Sequence, residues 1–176
     1  MEVEGASYLY TLATLMITFA GFSALLLGIR QAAGARLSLL DRFLAKTVLV
    51  QLFTLTAGAL LPPLLSLFNV SQMWLWPIAA VCFALPMLAL LLSYPRRRRK
   101  TIGRPPPPIV LAVFVALGST AIAVMLICVL GGFAYKAGAY VAALTINFFT
   151  TAFAFVAALD VIMQQPLKSS AVEHQK

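Results

Sequence analysis

Between Thr47 and Tyr94 the chain carries no Asp, Glu, Lys or Arg, a run of 48 residues. As a single helix this run would extend about 72 Å at 1.5 Å per residue, more than twice the hydrocarbon thickness of a bilayer. It must therefore cross, turn and cross back. The polar cluster Asn69-Val70-Ser71-Gln72 is the place for that turn. Trp74 and Trp76 follow at once, where an interfacial aromatic belt would sit. Uncharged runs at 7–29, 105–135 and 137–159 complete the pattern.

Composition agrees. Charged residues make up 10% of the 176 positions and hydrophobic ones 62%, where soluble domains carry about 25% charged residues. The net charge of +8 sits in short blocks between apolar runs. That distribution fits basic loops under the positive-inside rule better than a nucleic-acid surface. The leader is acidic, with Glu2 and Glu4, and the apolar run after it is longer than a signal-peptide core. The first helix is therefore expected to be retained.

These features predict an all-α, polytopic integral membrane protein, a single membrane domain over 1–176 with a bundle of about five transmembrane helices. The expected spans are 7–29, 43–68, 73–94, 109–130 and 139–163, with a basic, proline-rich loop at 96–108 and a disordered polar tail at 164–176. Ser38 and Asp41 fit a capping box that opens the second helix. Pro62-Pro63 should kink or break the second span, and Pro86 should kink the third. The first and third loops carry four and six Lys/Arg, the second and fourth none and one. This asymmetry sets the N-terminus outside and the C-terminus in the cytoplasm, with a bacterial inner membrane as the expected location.

Polar and small residues concentrate within two spans. Ser7, Thr11, Thr14, Thr18 and Gly21 share one side of the first helix, continued by Gly28. Asn147, Thr150 and Thr151 lie in the fifth. Each seam reads either as a close helix contact or as the lining of a pore. Arg30 and Asp160 reach similar expected depths near the cytoplasmic edge and read as an ion pair or a cation site, with Lys46 as alternative partner. Arg96, Arg97, Arg98, Arg99, Lys100 and Arg104 read as a topology signal and a patch for anionic lipid head groups. Cys82 and Cys128 have no metal-ligand spacing and read as small buried hydrophobes at depths too different for a disulfide.

The chemistry available is sparse. No span contains a histidine, Asp160 is the only carboxylate in one, and no hydrolase, metalloprotease or phosphate-loop pattern occurs. Neither enzymatic activity nor a cofactor or metal is expected. Two function classes remain. The first is a small homo-oligomeric channel or passive transporter for an ion or small solute, with several copies surrounding the path. The second is a non-catalytic accessory or scaffold subunit of a larger membrane complex. The expected partners are anionic lipid head groups at the cytoplasmic face and further copies of the chain, with no nucleic acid.

Overall fold

A computed structural model describes residues 5–32, 38–103, 108–131 and 136–163, with side chains for all of these except 108–114, 116, 117, 120 and 157–163. The described residues form five helices: α1 (Ala6–Ala32), α2 (Leu39–Leu67), α3 (Gln72–Ile102), α4 (Pro108–Val129) and α5 (Lys136–Met163). Among them α1, α2, α3 and α5 are long and apolar enough to cross a membrane. The protein is an all-α, polytopic membrane protein. α4 has 22 residues and no charged side chain and coincides with the fourth expected span, 109–130.

α2 is the central element. It packs against α1, α3 and α5, while α4 packs against α3 and α5. Helices α2 to α5 therefore close a four-helix bundle, and α1 lies outside it along α2, touching only the edge of α5. Side-chain pairs give the directions. Phe43 of α2 meets Tyr94 of α3 with ring centroids 5.7 Å apart, and Gly58 lies beneath Phe83, so these two helices are antiparallel. Tyr8 Oη lies 3.1 Å from Thr145 Oγ1, and Phe19 packs on Phe155 at 5.2 Å, so α1 and α5 run parallel. One end of the bundle carries the turn after α2, and we call it the turn end. The other carries residues 96–102, and we call it the basic end.

Local chemistry explains each boundary. Ser38 Oγ accepts the Asp41 N–H at 3.1 Å, and the Asp41 carboxylate accepts the Ser38 N–H at 2.9 Å, which is the expected capping box. Between α2 and α3 the turn is made by Asn69 at φ +55°, a left-handed conformation that asparagine tolerates. The second span is not broken: α2 runs continuously through Pro62 and Pro63 to Leu67. Pro62 has no N–H to give the Gly58 carbonyl. The Tyr140 hydroxyl of α5 donates to that carbonyl instead, at 2.7 Å. A neighbouring helix thus satisfies the backbone group that the proline frees.

Three expectations are corrected here. The basic run is not a loop, because α3 continues through Pro95 to Ile102 and ends at Gly103, which has φ +74° and donates its N–H to the Arg99 carbonyl at 3.0 Å. Arginine and lysine are good helix formers, and cations near a helix C-terminus oppose its dipole. Trp74 faces outward, but Trp76 is buried in the core, so only the first can serve an aromatic belt. Cys82 is exposed on the bundle surface, whereas Cys128 is buried, and both are free thiols.

The interior divides along its length. Toward the turn end it is apolar and aromatic. Tyr140 is fully buried between Trp76 and Phe83, with ring centroids 5.7 and 6.4 Å away. Leu9, Met16, Leu55, Ala79 and Leu144 fill the space around them. Toward the basic end the interior becomes polar.

Candidate functional site

That polar interior surrounds a cavity of about 20 Å³, room for one water-sized species. Thr47 and Gln51 line it from α2, Met87, Leu90, Leu91, Tyr94 and Arg97 from α3, Gly118 and Ile122 from α4, and Asn147 and Thr150 from α5. All four helices of the inner bundle contribute. Most of its polar groups are already engaged with their own helix. Thr47 donates to the Phe43 carbonyl at 2.8 Å, Thr150 to Ile146 at 2.7 Å, and Asn147 Nδ2 to Ala143 at 3.0 Å. Such i−4 bonds satisfy the donors while leaving hydroxyl lone pairs and Asn147 Oδ1 to accept. Gln51 differs. It is only 7% exposed and makes no hydrogen bond with the described residues. Its amide borders the cavity and is left to bond a polar occupant there.

Arg97 stands between the cavity and the surface. It lines the inner cavity and also an open cleft formed with Ser93, Arg96, Arg99 and Lys100. Its side chain turns back along α3, so that one terminal nitrogen reaches the Leu90 carbonyl at 3.4 Å. This direction follows from helix geometry, because side chains lean toward the N-terminus of their helix, which here means into the bundle. Its Nε is buried and has no hydrogen-bond partner. Arg97 also makes no ion pair with any described residue.

The seam on α1 does not pack as expected. Ser7, Thr11, Thr14, Thr18 and Gly21 are all exposed, and the buried face of α1 is Leu9, Leu12, Ala13, Met16, Ala20 and Ser23 on the opposite side. A Cβ built on Gly21 or Gly28 would meet nothing within 4 Å. The threonines bond to their own backbone: Thr11 to Ser7, Thr14 to Tyr10 and Thr18 to Thr14, at 2.8–2.9 Å. With hydroxyls satisfied in this way, nothing forces the seam inward, and the larger apolar residues take the contact with α2. The α5 seam does face the interior. Asn147 and Thr151 are buried, Thr151 donating to the Asn147 carbonyl at 2.8 Å, and Thr150 is half-buried at the cavity.

Of the basic run, Arg96, Arg99 and Lys100 are exposed while Arg97 and Arg98 are half-buried. The Arg98 Nε, like that of Arg97, is buried without a partner. Arg104 lies outside the described residues, as does the Asp160 side chain, and with it the expected pair to Arg30 or Lys46. Among the described residues, no group of three or more His, Cys, Asp or Glu side chains comes together to hold a metal ion.

Sequence reasoning passed over Gln51 and took Arg97 for one cation among five. Both carried a signal. Gln51 is the only amide between Thr47 and Phe68. Arg97 continues the inward stripe Phe83, Met87, Leu90, Tyr94 at helical three- and four-residue spacing. Comparison with known protein families, with characterised proteins and with solved structures finds no match to this chain.

Proposed function

We propose that this protein is a small passive transporter or channel for a small polar or anionic solute, working as a homo-oligomer in the cytoplasmic membrane. The observation that carries the reading is the polar cavity of Gln51, Asn147 and Thr150, reached past Arg97 from a basic cleft. Binding sites within membrane bundles are built in this way, from polar side chains where only apolar ones would serve packing. In this reading the aromatic layer of Trp76, Phe83 and Tyr140 is the barrier toward the turn end, and the solute enters from the basic end. By the positive-inside rule the basic end is cytoplasmic, and its exposed cations meet anionic lipid head groups there.

Flux into liposomes tests the proposal. Purified protein in vesicles should carry a small anion such as nitrate faster than empty vesicles do, with potassium excluded. Gln51→Leu should reduce the rate about tenfold, the effect of losing one hydrogen bond worth roughly 1.4 kcal/mol. Anion flux no greater than that of empty vesicles would rule transport out.

One surface serves either this reading or the second, an accessory subunit. The exposed hydroxyl and glycine face of α1 is shaped for close approach of another helix. In the homo-oligomer that helix belongs to a second copy. In an accessory subunit it belongs to a different membrane protein, and the chain purifies as a monomer or with that partner.

A further inference from the structure

We infer that Arg97 and Gln51 form a binding site for one oxyanion group, phosphate-like or carboxylate-like, at the junction between the basic cleft and the inner cavity. This deepens the transport reading and rests on it for the role of the cavity as the solute's station. Charge gives the sign of the ligand. The cleft is lined by Arg96, Arg97, Arg99 and Lys100 with Ser93, and no described carboxylate lines either space. Among the described residues, nothing there suits a cation. A guanidinium drawn toward a membrane interior without a counter-charge is unfavourable and is normally paired. The single long bond from Arg97 to Leu90 leaves its other donors for a ligand.

Geometry gives the class of ligand. The guanidinium offers a planar fork of donors that matches two oxygens of one phosphate or carboxylate. The inner cavity, at about 20 Å³, takes an atom group the size of one water. It therefore admits one oxygen of such an anion, within reach of the unpartnered Gln51 amide, while the rest lies in the cleft. A halide would use the charge but not the fork. Free phosphate and the phosphodiester of a lipid head group share this chemistry.

Thermal unfolding of the full chain in a neutral detergent tests the site and separates the two sources. Sodium phosphate is titrated against sodium chloride at equal ionic strength. In a second arm, micelles doped with phosphatidylglycerol are compared with micelles doped with phosphatidylcholine. A specific ligand at about a hundred times its Kd should raise the midpoint by several degrees and saturate. The rise should disappear in Arg97→Gln and in Gln51→Leu, shrink in Arg97→Lys, which keeps the charge but loses the fork, and persist in Arg42→Gln, an exposed cation that lines neither space. A phosphate response assigns the site to a free oxyanion, and a response to phosphatidylglycerol alone assigns it to a head group. No response in either arm overturns the site, as does one that survives both Arg97→Gln and Gln51→Leu or is lost equally in Arg42→Gln. Arg97-dependent binding without vesicle flux keeps the site and removes transport. Flux indifferent to Arg97 keeps transport and removes the site.

Discussion

Gly58→Leu is expected to prevent α2 and α3 from packing and to abolish most of the folded yield. A Cβ at Gly58 would lie 2.7 Å from Phe83 Cε2 and closer still to Cδ2, where real Cβ atoms are not found. Phe83 is buried and packs edge-on against Tyr140, so displacing its ring disturbs that contact. Overpacking a filled core costs about 1–3 kcal/mol per insertion. Gly58→Ala should therefore lower stability by that amount in detergent unfolding followed by circular dichroism, and the leucine variant by more. Shrinking the obstacle with Phe83→Leu should recover part of the loss in Gly58→Ala. A Gly58→Leu protein that unfolds at the unaltered midpoint would contradict this contact.

The second large effect belongs to Tyr140→Phe, which removes only the hydroxyl oxygen. That hydroxyl is the partner of the Gly58 carbonyl, which Pro62 cannot reach. A buried acceptor left unpaired costs about 1–3 kcal/mol. The explanation is specific enough to be tested by a cycle. Pro62→Ala restores an N–H one turn beyond Gly58, so the carbonyl regains its intrahelical donor. Tyr140→Phe in that background should then cost less than about 1 kcal/mol, giving a coupling energy between two residues on different helices. An equal penalty in both backgrounds would show that the hydroxyl does not act through the carbonyl.

Much of the architecture was legible because the membrane restricts the choices. Uncharged length predicts spans, the capping box marks the start of α2, and the Asn69–Gln72 cluster marks the turn. The direction in which a helix faces was less legible. In a soluble protein the apolar stripe faces the core, but α1 is apolar all round, and lipid accepts its residues as readily as protein does. Its threonines seemed to mark the contact face, yet each closes its own backbone bond and so carries no demand for burial. On α5 the same reasoning succeeds because Asn147 has an amide too polar to leave in lipid. The basic run misled for a different reason. Five consecutive cations followed by prolines read as a loop between spans, but arginine and lysine also favour a helix and its C-terminal end. Once α3 continues to Ile102, Arg97 falls on the inward stripe and lines the cavity.

The central claim is that the polar cavity opens toward the cytoplasm past Arg97 and is sealed toward the turn end. Reaction of Ser93→Cys, beside Arg97 in the cleft, in a chain with Cys82→Ala and Cys128→Ala, measures the side of that opening directly. The probe is an impermeant, negatively charged methanethiosulfonate, applied to intact cells and to inside-out vesicles. Modification is predicted from the cytoplasmic side only, and more slowly when Arg97→Gln removes the attraction for an anion. Modification from outside the cell, or from neither side, would contradict the account.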